Sequence, residues 1–291
     1  MTLPRSIALA LAVGCGGGAT AVAPVGPDRA RFPLSVAADE RMITIPAGQF
    51  IAGSTPEERQ SAYDDFLHTA NHDGAREHEW FAKEADRHPE KLPAFTIDLM
   101  PVTQSAYSEL VAAGTVPAPT IDEVAWKVQG FQQDYTTQVV RFNWKDGRPP
   151  HGREDHPVVL VTHDEATRYC SWRGRRLPTS AEFEKAARGE QGLAYPWGNA
   201  YEAGKLNSAV AGPGETTPVG AYGDGASPYG LFDMAGNVFQ WTSTPAEGGK
   251  MIVKGSAWDD HGGVGRGASQ HGRKHEVRHV IVGFRCASDV R

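Results

Sequence analysis

Apolar and polar residues alternate through Ile43-Thr44-Ile45-Pro46-Ala47-Gly48-Gln49-Phe50, a pattern that predicts a strand entering a turn. The pattern then changes. Between Ser54 and Leu92 the chain is highly charged, and Tyr63, Phe66 and Leu67, followed by Trp80 and Phe81, predict two amphipathic helices around the Asp73-Gly74 break. Three later helices are marked by their starts. Thr103 precedes a helical run over 104–111 that Gly114 is placed to end. Thr162 with Glu165, and Thr179 with Glu182, are capping-box pairs whose helices stop at Gly174 and Gly189. Beyond Gly189 the pattern predicts turns and short strands, the last over 280–286.

The first residues carry a different signal. Arg5 precedes an apolar run over 7–13 that is too short to span a bilayer as a helix. Ala12-Val13-Gly14-Cys15 resembles a lipoprotein signal in which Cys15 is lipidated, whereas Ala21-Val22-Ala23 offers a site for ordinary signal removal. Either reading predicts export, to the periplasm or as an outer-membrane lipoprotein, with membrane contact only through a lipid on Cys15. The expected organisation is a signal over 1–23, a linker over 24–41 and one domain over 42–291, with a helical insertion at 54–92.

Composition narrows the classes. A net charge of −6 supplies no concentrated basic surface, so nucleic acid is not an expected partner. With 33 glycines and 20 prolines, the chain favours loops over a helical bundle, and seven tryptophans can anchor them. Besides Cys15 there are only Cys170 and Cys286, which are either a disulfide pair, as export would favour, or two buried thiols. His68 and His72 have the i, i+4 spacing of zinc ligands. Without an intervening glutamate base or a third ligand, they read as a solvated helix face.

The second half holds an ordered series of short motifs. They are His156-Pro157-Val158-Val159, Tyr169-Cys170-Ser171-Trp172 with Arg176-Leu177-Pro178-Thr179, Glu182-Phe183-Glu184-Lys185-Ala186-Ala187-Arg188-Gly189 and Tyr195-Pro196-Trp197-Gly198. After them come Tyr229-Gly230-Leu231-Phe232-Asp233-Met234-Ala235-Gly236-Asn237-Val238-Phe239-Gln240-Trp241-Thr242, Val253-Lys254-Gly255-Ser256 and Gly283-Phe284-Arg285-Cys286-Ala287. In this order they resemble the sulfatase-modifying factor family of formylglycine-generating enzymes. Pro46-Ala47-Gly48-Gln49-Phe50 and Pro101-Val102-Thr103 extend the resemblance across the chain. It implies an α+β fold with little regular secondary structure, a variant of the C-type lectin fold. It also implies that Cys170 and Cys286 match a structural disulfide.

The departures from that family matter as much. Formylglycine generation uses two cysteines in the stretch matching Gly255-Ser256-Ala257-Trp258-Asp259-Asp260-His261-Gly262-Gly263-Val264-Gly265-Arg266-Gly267, which has none. Soft thiolates suit the copper and thiol-exchange chemistry of that reaction and carboxylates do not, so cysteine-dependent formylglycine formation is not expected. The family's calcium positions fall on Asn207 and Ser208, and on Ala235, Gly236, Val238 and Gln240. One carboxylate is missing from the first set, and Gln240 replaces a glutamate in the second, so only weak structural calcium is expected. The transition metal, if one is used, is unknown.

The stretches 152–161 and 254–260 resemble the exported siderophore (pyoverdine) maturation branch, which lacks the cysteine pair. Sulfoxide synthases of the ergothioneine type keep iron ligands on an additional helical domain, for which this chain has only 54–92. Trp258, Asp259, Asp260, His261, Arg266, His271 and Arg273 are the candidate catalytic residues, because carboxylates and imidazoles there can exchange protons or bind a metal. Trp258 also reads as core, and His275 and His279 read as surface. Two functions remain: an exported oxidative tailoring enzyme acting on a peptide-like small molecule, or a catalytically silent lectin-like module binding an envelope partner or glycan.

Overall fold

The computed structural model describes residues 41–131 and 133–290. The signal expected at 1–23, nearly all of the linker and Cys15 lie outside them. Strand β1 (Met42–Ile45) is parted from β2 (Gly48–Ala52) by Pro46-Ala47, so the single alternation folds as two strands. Proline lacks the donor that a continuous ladder would need.

Helix α1 (Pro56–Ala70) starts with a complete capping box. The Thr55 hydroxyl accepts from the Glu58 amide, the Glu58 carboxylate accepts from the Thr55 amide at 2.7 Å, and Pro56 occupies the first turn. Its successor α2 (Gly74–Glu77) is a single turn. The insertion expected to be helical over 54–92 therefore ends its helices at Glu77. Residues 88–92 instead form strand β3 (His88–Leu92), antiparallel to β2. Pro89 cannot sit inside a helix, and pairing with β2 satisfies the backbone around it. Trp80 and Phe81 lie in the turns between, with Phe81 fully buried.

Strand β4 (Phe95–Asp98) is followed by helices α3 (Gln104–Ala112), α4 (Glu123–Val128), α5 (His163–Trp172) and α6 (Ser180–Arg188). Thr103, Thr162 and Thr179 cap α3, α5 and α6, the last two with full capping boxes. Helix α4, capped by Asp122, was not expected: it has only six residues and buries only Trp126. The remaining strands are β5 (Phe239–Ala246), β6 (Lys250–Lys254), β7 (His271–Lys274), β8 (Val282–Gly283) and β9 (Ala287–Asp289). They form the sheets β1-β4-β9, β2-β3 and β7-β6-β5-β8, the last with β7 on its edge.

The terminal strand expected over 280–286 is broken. β8 runs parallel to β5, and β9 joins β4. Between them the carbonyls of Phe284 and Cys286 accept from Val102 and Asp98, which draws the chain from one sheet to the other. Cys286 is disulfide-bonded to Cys170 on α5, with Cα atoms 5.5 Å apart. Tyr107, Tyr169 and Phe284 pack ring against ring in the same core, where Trp241 is also fully buried and donates to the Val161 carbonyl.

Helix α1 is fitted closely to the loop over 261–267. A Cβ on Gly263 would lie 2.2 Å from the Ala62 carbonyl oxygen, and the residue has φ of +86°, so only glycine fits there. The Gly262 amide donates to Thr69 Oγ1 at 2.9 Å, and the Gly263 amide to Tyr195 Oη, whose hydroxyl is bonded to Asp65 of α1.

Candidate functional site

The loop after β6 and the strand β7 carry the seven candidate residues, and the structure divides them into two groups. Trp258, Asp259, Asp260, His271 and Arg273 form the first. Trp258 is buried, lies nearly parallel to Phe142 with centroids 6.3 Å apart, and donates to the Val280 carbonyl at 3.3 Å. Asp260 folds back to accept from the Ala257 amide at 2.9 Å. Asp259 Oδ2 accepts from Gln133 Nε2 at 2.8 Å, while its Oδ1 is buried without a hydrogen-bond partner. His271 and Arg273 are two residues apart on one strand and therefore share a face. The ring of Phe239 lies 5.2 Å from that of His271 and 6.0 Å from the Arg273 guanidinium carbon.

Both carboxylates keep some surface access but are densely surrounded by protein. Burial raises Asp259 above the usual carboxylate range, against the Gln133 bond. Burial, and then the neighbouring Asp259 charge, push Asp260 up to about 8. Arg273 is the cation that favours ionisation of both, and burial in turn lowers its own pKa. Burial, then Arg273 and Lys254, push His271 down to about 3, so its ring is neutral at ordinary pH. Unpaired buried atoms gather here: Gln133 Oε1, Asp259 Oδ1, His271 Nε2 and Arg273 Nε. Buried polar atoms are rarely left unpaired, so these leave hydrogen-bonding capacity that water or a bound molecule can complete.

His261 and Arg266 form the second group, against α1. His261 lies edge-on to Phe66 and 6.5 Å from the His72 ring, and burial lowers its pKa. Arg266 is buried in an ion pair with the equally buried Glu84 at 3.0 Å. Arg266 thus serves to fasten the loop to the insertion. A row of rings, His271, Trp80, Phe66 and His261, runs between the two groups. Among the described residues no three His, Cys, Asp or Glu side chains converge as a metal-binding group. His68 and His72 are exposed, and so is His275.

His279, expected on the surface, is instead buried. Its ring packs 3.9 Å from Phe131 and 5.1 Å from Trp126, and burial holds its pKa well below the ordinary value. The polar spacing around it gave no hint of the aromatic pair supplied by the 123–131 segment. Gln133 was missed for a similar reason. It belongs to no motif and reaches Asp259 only through the fold. A cleft of about 940 Å³ opens between the 120–143 segment and the edge strand β7, lined by Ile121, Val128, Phe131, Lys250, Arg273 and Lys274 among others.

The expected calcium positions hold little that a cation could use. Asn207 Nδ2 donates to the Glu215 carbonyl and to Asn237 Oδ1, leaving Asn207 Oδ1 as one buried unpaired oxygen. The Glu215 carboxylate is turned to Arg141 and Arg153. Ser208 lies buried beside Asn207, and its carbonyl accepts from the Gly212 amide. Gln240 donates to the Asp233 carbonyl at 2.7 Å, and its Oε1 accepts from Arg285 Nε at 2.6 Å. Ala235, Gly236 and Val238 form the turn leading to it, with Gly236 donating to the Gly255 carbonyl. A hard divalent cation seeks six to eight oxygens, preferably charged, and neither set fits that demand.

Residues 31–290 match the family described as the sulfatase-modifying factor enzyme 1-like domain, and the protein belongs to that family. Inactive C-alpha-formylglycine-generating enzyme 2 of Mus musculus is 29% identical over 301 residues, covering 89% of each chain. The formylglycine-generating enzyme of Mycobacterium tuberculosis is 28% identical, covering 70% of this chain and 73% of that one. Among solved structures, PvdO from Pseudomonas aeruginosa shares the fold with a TM-score of 0.61 at 19% identity, over 86% of this chain and 94% of that one.

Proposed function

We propose that this protein is an exported, cysteine-independent tailoring enzyme that modifies a peptide-like small molecule, with Asp259 and Asp260 as its proton-transfer pair. One observation carries the reading: two adjacent, densely surrounded carboxyls share Arg273, a residue that also lines an open cleft, and Asp259 Oδ1 and Arg273 Nε are left unpaired. Such a pair holds one proton between two groups, so one member can accept a proton while the other donates. Arg273 stabilises whichever carboxylate is charged. Gln133 fixes the orientation of Asp259.

Neutral His271 adds a nitrogen that can donate or accept, depending on its tautomer. Oxidation of a peptide-like substrate would remove two protons, relayed through this pair, and two electrons, both passed to dioxygen from solution as the electron acceptor, giving hydrogen peroxide. The Cys170–Cys286 disulfide is fully buried and unsuited to that role. Its presence agrees with an oxidising compartment, which supports the export reading.

The test is a comparison of the small peptide pools of cells carrying the wild-type protein or the variants Asp259→Asn and Asp260→Asn. A precursor heavier by a pair of hydrogens should accumulate in both variants. Pools that match the wild type would leave the binding-module reading in its place.

A further inference from the structure

The rim of the cleft carries a charge arrangement that the fold itself does not need. Lys250 and Lys274 stand directly opposite each other on the antiparallel strands β6 and β7, both exposed. Like charges in direct cross-strand register repel. Neither lysine makes an ion pair among the described residues, and the Lys250 stem lies over Gly272, where a Cβ would come 3.2 Å from its Cδ. Arg273, next to Lys274, lines the same cleft and keeps its Nε buried and unpaired. Arg278, also on the lining, is already committed to Glu165 and to the Leu160 carbonyl. The acidic side chains on the lining are Asp122, whose Oδ1 is used in capping α4, and Glu276. Lys250 and Lys274 thus stand without an ion-pair partner among the described residues, while Arg273 faces the Asp259–Asp260 pair and keeps one donor, Nε, unused.

The opposite wall belongs to another part of the chain and sets apolar side chains among Thr120, Asp122, Gln129 and Asn143. Ile121, Ala125, Val128 and Phe131 face the cleft, and Val128 is 82% exposed, an unusual position for a large aliphatic side chain. The floor is closed by a two-way bond between Gln129 and the backbone of Arg278, at 2.8 and 3.2 Å. At about 940 Å³ the space lies within the range of small-molecule sites.

We infer that the cleft binds an acyl amino acid or short peptide through a free carboxylate held by Arg273 and the Lys250–Lys274 pair, with its apolar side chain against Val128 and Phe131. This deepens the reading of the preceding subsection and rests on it, since Arg273 serves both the carboxyl pair and the ligand. An anion between the two lysines removes their repulsion, and a guanidinium offers a carboxylate paired, directed donors. The occupant is anionic at one end and apolar at the other, which distinguishes it from a glycan.

Calorimetric titration of the purified protein with N-acetylphenylalanine and with N-acetylphenylalaninamide tests this. The acid should bind at least about tenfold more tightly than the amide, with an affinity that falls as salt rises. The exposed double variant Lys250→Glu/Lys274→Glu should lose about tenfold or more of the acid's affinity and leave the amide's unchanged. Equal binding of acid and amide would overturn the inference, as would indifference to the charge reversal or an absence of heat with either probe. Binding of the acid that persists in Asp260→Asn, in a protein whose variants leave the peptide pool unaltered, would keep this inference and sink the proton-transfer reading.

Discussion

Two buried polar regions of this molecule are organised in opposite ways. Around Gln240 every donor of Arg285 is used: Nε on Gln240 Oε1, Nη1 on the carbonyls of Asp98 and Leu99, and Nη2 on those of Phe232 and Asp233. Around Asp259 the same kinds of group leave four atoms without a partner. Both regions lie in the same sheet system, since Gln240 is on β5 and Arg273 on β7. The first is a closed network that rigidifies a core. In the second, polar groups stay unpaired, and one of their residues, Arg273, also lines a cleft. Satisfaction of hydrogen bonds, rather than burial or charge, separates the two regions.

The comparison can be broken most forcefully on its closed side. Replacing Cys170 and Cys286 with alanine frees a loop of sequence separation 116, which the chain-entropy model values at ~4–5 kcal/mol of stability. Denaturant unfolding should show that loss. Arg285→Met should cost about 3 kcal/mol or more, because several buried carbonyls lose their donors at once. A much smaller loss in the midpoint of urea unfolding would mean that water replaces the guanidinium and that the network is not closed.

On the open side the expected effects are smaller and depend on pH. Asp260 titrates near 8 in the folded protein against an ordinary value of 3.8. The folded state therefore holds the proton more tightly than the unfolded chain does. Its stabilising contribution is fully present below the unfolded value and is lost as pH rises through about 8. Asp260→Asn should flatten the fall in Tm between the unfolded value of 3.8 and about 8 while abolishing turnover. The smallest expected effect is none: added calcium should leave Tm unchanged, because Gln240 and Arg285 are already paired with each other. A calcium-dependent rise in Tm would show that the closed network opens for a cation.

Much of the frame was legible because it is written in local rules. Thr103, Thr162 and Thr179 announce helices through hydroxyls that cap their own first turns, and the structure has α3, α5 and α6 at those places. The resemblance located the 255–267 loop and the cysteine partners. What stayed hidden depends on distant segments. Strand β3 exists because β2 is there to pair with it, and the break after Gly283 exists because Asp98 and Val102 draw the chain away. Helix α4 is too short for a periodic signal. His279 reads as polar in sequence, yet Trp126 and Phe131 enclose it. The Lys250–Lys274 opposition is visible only once the β6–β7 register is known. Among the candidate residues, Arg266 is one half of a buried ion pair, which sequence could not show because its partner Glu84 lies 182 residues away in the chain.

The most direct test of the central claim is a carbon-13 NMR titration of the aspartate side chains, with Asp259→Asn and Asp260→Asn used for assignment. The account predicts one carboxyl titrating near 8 that moves toward the ordinary range in Asp259→Asn, once the neighbouring charge is gone. If both carboxyls titrate in the ordinary carboxylate range, and independently of each other, Asp259 and Asp260 share no proton and the proposed chemistry is contradicted.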